Sequence, residues 1–309
     1  MKIGIPHALL YYWYGHEWQL FWQSCGCETL VSPPTDRATL KAGSEVALDE
    51  LCLPVKIFLG HVINLAPLVD RVMIPHLVKV ESDAYICPKF MGLPDLVAHT
   101  VPAVKNKTVT VKVGPRQIDQ WRCLSEAAAQ LGKKPDHKAK SALEKIESNP
   151  ALQEVNALQP QFGPEGPELT IGLLGHPYCL YDRCFNLDLL TELARNRVSF
   201  LTPEMMPAEY KGRGSGKLEK ELFWTIGRLQ LDALEWMLHR PEHRVDGFIQ
   251  VTPFACGPEA IVGDLLERRI KAAGLPLLKL NFEEHSGEAG IITRLEAFLD
   301  LIKFRSMVC

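Results

Sequence analysis

The sequence predicts an α/β protein built from two doubly wound, Rossmann- or flavodoxin-like domains with parallel sheets. Three observations lead there. Short apolar runs alternate with helix-spaced patterns along the chain, the mark of βαβ units. A Pro- and Gly-dense stretch, Gln159-Pro160-Gln161-Phe162-Gly163-Pro164-Glu165-Gly166-Pro167, interrupts the alternation and reads as a linker. The two halves open alike, with Ile3-Gly4-Ile5 and Ile171-Gly172-Leu173. The expected domains are therefore 1–158, an N-terminal α/β domain with a helical extension, and 168–309, with the linker at about 159–167.

In the first half, Lys2–Ile5 reads as a strand and His7–Ser24, rich in aromatics, as a helix. Glu28–Val31 is a second strand. Asp36–Leu51 is a helix, with Thr35 or Asp36 as its N-cap. Pro54–Leu65 is another helix; Arg71–Ile74, Tyr85–Cys87 and Thr108–Val113 are strands. Residues 115–155 are charged, Ala-rich and helical in spacing. In the second half, strands at Leu169–Leu174, Val198–Leu201, Gly247–Val251 and Leu277–Asn281 alternate with helices at Asn186–Asn196, Lys217–Leu238, Glu259–Ala273 and Gly290–Phe304. Ile291, Ile292, Leu295, Phe298, Leu299 and Ile302 give the last helix one apolar face. Trp13, Trp18, Phe21 and Trp22 are expected in the domain core or at a dimer contact.

The hydrophobic fraction of 47% and charged fraction of 23% are those of a globular protein. A net charge of -3 gives no reason to expect nucleic acid or an anionic membrane as partner. No run of about 18 apolar residues marks a transmembrane helix, and Met1–Pro6 lacks the features of a signal peptide. A cytoplasmic location is the expectation.

Nine cysteines is a high and odd count. In a reducing compartment such cysteines point to ligation or catalysis, against the plain alternative of small buried hydrophobes. Three share a setting: Leu51-Cys52-Leu53-Pro54, Ile86-Cys87-Pro88 and Ala255-Cys256-Gly257-Pro258. Cys52 and Cys256 stand ahead of helices, with proline expected at the first helical position, and Cys87 ends a strand. A helix N-terminus favours negative charge and so the thiolate. Ligands of doubly wound sheets sit outside the carboxyl ends of the strands, so three thiolates there suit a [4Fe–4S] cluster in the inter-domain cleft. Zinc prefers close pairs spaced by two to four residues, whereas Cys25-Gly26-Cys27 has one intervening residue. A zinc-binding or purely structural protein stays as an alternative. Three thiolates would leave one iron of a cubane without a protein thiolate, open to substrate or water.

These segments carry a resemblance to a family. Ile3-Gly4-Ile5-Pro6 with Ala8-Leu9-Leu10-Tyr11-Tyr12, Cys52-Leu53-Pro54-Val55-Lys56 with Gly60-His61-Val62, and Cys87-Pro88-Lys89-Phe90 with Gly92-Leu93-Pro94-Asp95 are its first part. Gly175-His176-Pro177-Tyr178 with Tyr181-Asp182, Pro253-Phe254-Ala255-Cys256-Gly257-Pro258-Glu259, and Glu283-Glu284-His285-Ser286-Gly287-Glu288-Ala289-Gly290 complete it. The chain resembles the acyl-CoA dehydratase activase-related proteins of the 2-hydroxyacyl-CoA dehydratase and benzoyl-CoA reductase (double-cubane cluster protein) superfamily. The resemblance implies a [4Fe–4S] or double-cubane [8Fe–9S] cluster, with Cys52, Cys87 and Cys256 as cluster ligands. It also implies an ATP-dependent activator as electron donor, reductive or radical chemistry on an acyl-CoA or small molecule, and a homodimer. A double-cubane cluster needs further thiolates. The other functional reading is an electron-transfer or cluster-carrying accessory protein.

Cys179, after a strand end, is the candidate for a fourth ligand, and His176 suits donation to a cluster sulfide or ligation of an iron. Cys25 and Cys27 read as packing residues, and Cys123 and Cys309 as non-ligands. Glu283, Glu284 and His285, at the carboxyl end of the last strand, are the catalytic candidates, weighed evenly against helix capping. His61 reads as a satisfied core histidine, and Glu259 as a complement to its helix dipole. Lys211–Lys217 is Gly-rich but lacks phosphate-loop spacing and a leading strand, so it reads as a flexible surface loop.

Overall fold

The structure, a computed structural model of the chain, describes residues 1–81, 83–113, 120–136, 140, 157–159, 167–240 and 245–308. Most of the predicted linker, residues 160–166, lies outside them, as do Cys309 and much of the predicted helical extension. The chain divides into two compact units: Met1–Ala151 with Phe223–Thr225, and Leu152–Leu222 with Ile226–Cys309.

The first unit holds β1 (Lys2–Ile5), α1 (Tyr11–Ser24), β2 (Glu28–Val31), α2 (Arg37–Val46), α3 (Leu53–Leu65) and β3 (Arg71–Leu77). A short antiparallel pair follows, β4 (Lys79–Glu81) with β5 (Ala84–Tyr85), then α4 (Pro88–Met91), α5 (Leu93–Thr100), β6 (Thr108–Val113) and α6 (Gln120–Gln130). Its main sheet is wholly parallel in the order β2-β1-β3-β6. The second unit holds β7 (Leu169–Gly175), α7 (Pro177–Leu180), α8 (Leu189–Arg195), β8 (Val198–Leu201), α9 (Thr225–His239), β9 (Gly247–Pro253), α10 (Gly257–Ala272), β10 (Leu277–Phe282) and α11 (Glu288–Val308). Its sheet is also parallel, in the order β10-β9-β7-β8. Two parallel sheets flanked by helices are the doubly wound architecture the alternating pattern predicts.

Both sheets reverse the direction of winding once. The chain moves from β1 outward to β2 and then crosses to β3; in the second unit it moves from β7 to β8 and then crosses to β9. The switch points therefore lie at the carboxyl ends of β1 and β3, and of β7 and β9, where crossovers on opposite faces leave a crevice. The central strands β7 and β9 are buried along their whole length, as strands covered on both faces must be.

Several boundaries move for local reasons. The first helix starts at Tyr11 rather than His7, because Leu9 takes a left-handed φ of 54° that no helix continues through. Trp18, Phe21 and Trp22 are buried, so they pack the unit's core. Asp36 caps α2: its carboxylate accepts from the backbone N–H of Thr39 at 2.7 Å. Helices α2 and α3 pack backbone to backbone through two glycines. A Cβ on Gly43 would stand 1.8 Å from the Lys56 carbonyl oxygen, and one on Gly60 1.9 Å from that of Thr39. The long second-unit helix starts at Thr225 rather than Lys217. The segment predicted as a flexible loop is anchored instead: Gly212, Gly214 and Ser215 donate their backbone N–H groups to the buried Asp232 carboxylate at 2.7, 2.9 and 2.6 Å. That nest of N–H groups is the kind that binds phosphate, and here an internal carboxylate fills it.

Candidate functional site

The three cysteines with a shared sequence setting share a structural one. Cys52, Cys87 and Cys256 are the N-cap residues of α3, α4 and α10, each with proline in the first helical turn. Proline takes the second helical position after Cys52 and Cys256, and the first after Cys87. Cys87 therefore stands ahead of a helix as well; the strand expected at Tyr85–Cys87 stops at Tyr85. The reason is Pro88, which has no N–H to add to a ladder but fits the start of a helix.

Within the first unit, Cys52 and Cys87 are electrostatic neighbours. Burial pushes the Cys52 thiol up; the ammonium of Lys89 opposes this, and Cys87 adds to it. Lys89 Nζ donates to the carbonyl oxygen of Glu50 at 3.1 Å, tying the turn before Cys52 to the segment after Cys87. None of the eight described cysteines forms a disulfide. Among the described residues no group of three or more His, Cys, Asp and Glu side chains is gathered to hold a metal ion. Cys52, Cys87 and Cys256 offer soft thiol donors at helix starts, and the Lys89 ammonium lies beside Cys52.

The same unit carries two histidines at the carboxyl edge of its sheet. His7 follows β1 and packs on Tyr11 with ring centroids 4.4 Å apart. His61 is fully buried in α3, as a core histidine should be, but it is not fully satisfied. Its Nε2 meets Thr35 Oγ1 at 2.9 Å, while its Nδ1 has no partner. Burial holds His7 down to about 4 and His61 down to about 3; repulsion from His7 adds to the effect on His61 and Asp36 opposes it.

In the second unit the two strands flanking the switch point deliver a connected polar array. His176 follows β7 and is the N-cap residue of α7. Glu259 sits in the first turn of α10, three residues after Cys256. Both are buried, and His176 Nε2 lies 3.2 Å from Glu259 Oε2. Tyr178 Oη meets His176 Nδ1 at 2.9 Å. Gln230 of α9 and Gln250 of β9 each donate a side-chain amide to the Glu259 carboxylate, at 3.0 and 3.1 Å. A Cβ at Gly263 would come within 2.4 Å of Gln250 Nε2, so that glycine makes the room the amide occupies. Burial lowers the pKa of His176, and Glu259 opposes the shift. A carboxylate can only accept, so Nε2 of His176 carries the proton, and Nδ1 accepts from the Tyr178 hydroxyl.

Glu283, Glu284 and His285 follow β10 in the segment ahead of α11. Glu283 and His285 are exposed and Glu284 is half-buried, and the Glu283 backbone N–H donates to Ser286 Oγ at 2.9 Å. Cys179 lies inside α7 and is wholly buried, its backbone N–H bonded to the His176 carbonyl. Cys25 and Cys27 are buried, as packing residues should be. The contact that the one-dimensional reading misses is His176 with Glu259. Each stands at a strand end in a proline-bearing segment, and only the adjacency of β7 and β9 makes them partners.

The model of the CoA enzyme activase uncharacterised domain matches residues 2–206, more than half of the chain. The chain belongs to this family. The match contains Cys52, Cys87, His176 and Tyr178, and ends before Cys256 and Glu259. A comparison with curated proteins finds no match. The resemblance to activase-related proteins of the CoA dehydratase system is thus met at the level of the family. No described helix of this CoA enzyme activase family member is long and apolar enough to cross a membrane.

Proposed function

We propose that the protein is an iron–sulfur redox component of the 2-hydroxyacyl-CoA dehydratase and benzoyl-CoA reductase superfamily. In this reading Cys52, Cys87 and Cys256 hold a [4Fe–4S] cluster, which when bound supplies low-potential electrons. An ATP-dependent activator donates them, and an acyl-CoA or other small molecule receives them. The observation that carries the reading is the common setting of the three cysteines, each the N-cap of a helix with proline in its first turn. At Cys52 the Lys89 ammonium favours the thiolate, against burial, which pushes the thiol up. Exposed Glu283 and His285, with Glu284, are candidates for contacting a substrate at the carboxyl edge of the second sheet.

A second reading has its own support. The family is described by activation of a CoA enzyme rather than by a reaction. That favours an accessory protein, which carries electrons or a cluster to a dehydratase partner without chemistry of its own.

Anaerobic purification and reconstitution, iron and acid-labile sulfide analysis, and EPR after dithionite reduction test the cluster. Cys52→Ala, Cys87→Ala and Cys256→Ala should each lose iron, whereas Cys123→Ala should keep it. Wild-type protein without iron and sulfide, or three core variants with normal iron, would refute the assignment. Titrating acyl-CoA thioesters against the EPR signal separates the two readings, because a pure carrier gives no response.

A further inference from the structure

We propose that Tyr178, His176 and Glu259 form an acid–base triad, in which the Tyr178 hydroxyl exchanges a proton with an oxygen of a small hydroxy or carbonyl compound. His176 and Glu259 act as positioning residues behind it. The inference goes beyond the cluster reading and does not require a cluster to be bound.

Four features of the second unit carry it. The array lies at the ends of β7 and β9, the switch point of that sheet, where a doubly wound fold leaves its crevice. Its order is that of a reacting group, a base and an orienting anion: Tyr178 Oη to His176 Nδ1 at 2.9 Å, then His176 Nε2 to Glu259 Oε2 at 3.2 Å. The anion is held from both sides, Gln250 on Oε1 and Gln230 on Oε2, so it cannot swing away from the imidazole. Finally, accessibility falls along the array, from 6% at Tyr178 and His176 to 3% at Glu259, so the tyrosine–histidine end lies nearer the surface than the anion. A merely structural network would not need a neutral imidazole between a phenol and a carboxylate. Two buried amides with an apolar neighbour would tie the same elements together without burying a charge.

A probe of the phenol is N-acetylimidazole, applied to the full-length protein at neutral pH. The Tyr178 oxygen forms a bond to the acetyl carbon and the acetyl–imidazole bond breaks. The phenol proton passes to His176 Nδ1 and leaves with the departing imidazole. Peptide mass spectrometry should show Tyr178 acetylated about tenfold or more faster than Tyr181, whose hydroxyl donates instead to the Glu204 carboxylate and accepts from Thr202. His176→Gln and Glu259→Gln should each slow Tyr178 by about tenfold or more and leave Tyr181 unchanged. A Tyr178 no faster than Tyr181 in the wild type would overturn the proposal, as would variants that leave its rate unaltered. Imidazole ¹⁵N NMR of the wild type guards against misfolded variants. The Nε2-protonated tautomer of His176 is expected, and an Nδ1-protonated one would equally overturn the triad.

Discussion

Mild acid should unfold the first unit through its buried histidines, and a single substitution should remove a defined share of the effect. His61 titrates at an ordinary 6.5 when unfolded and is held to about 3 in the fold, chiefly by burial; His7 is held to about 4. Both folded values are depressed, so the unfolded chain binds more protons and stability falls as pH falls. The loss begins near pH 6.5 and runs down to the folded values. Each extra proton bound by the unfolded state costs about 1.4 kcal/mol per pH unit. Between pH 6.5 and 4.5, His61 alone should cost about 2 kcal/mol, and His7 also about 2 kcal/mol. The Asp36 carboxyl, lowered by its bonds to Thr39, and Glu267, held to about 2 by Lys271 and Lys279, act only at lower pH. His176 contributes in the same window, in the same direction. The diagnostic is therefore a difference between two proteins. His61→Gln keeps an amide near Thr35 but has no proton to gain. Urea unfolding followed by tryptophan fluorescence at pH 7.5, 6.0 and 4.5 should show the variant losing about 3 kcal/mol less than wild type over that range. Equal losses in the two proteins would refute the reasoning.

Three further outcomes follow from packing and charge. Asp232→Ala leaves the N–H groups of Gly212, Gly214 and Ser215 without their acceptor and should cost about 2–4 kcal/mol in chemical denaturation, with Asp232→Asn in between. Gly60→Ala drives a methyl group against the Thr39 carbonyl and should cost about 1–3 kcal/mol, seen as a lower melting temperature by circular dichroism. Lys89→Met removes the charge that opposes burial at Cys52, so alkylation of that thiol by iodoacetamide at pH 8 should slow; Lys89→Arg should restore it.

Much of this was legible in one dimension. The strands Lys2–Ile5, Glu28–Val31, Val198–Leu201 and Thr108–Val113 stand at the bounds their sequence pattern gives; the last two alternate buried with more exposed positions, the period-two mark of a strand with one face in the core. The helix starts beside Cys52 and Cys256 were legible for a similar reason, since proline tolerates only the first turn of a helix. Where a backbone conformation broke the pattern, the reading failed. Leu9 at positive φ delays α1, and the Asp232 nest delays α9; neither has a periodic signature. The pairing of His176 with Glu259, the approach of Cys52 to Cys87, and the unpartnered nitrogen of His61 were decided only by tertiary structure. Each depends on which strands and helices become neighbours, and that adjacency is chosen by long-range burial rather than by any local run of residues. Sequence alone determined which reactive side chains the chain carries and that several of them stand beside strand ends and helix starts. The folded sheets decided which of those groups can act on one another.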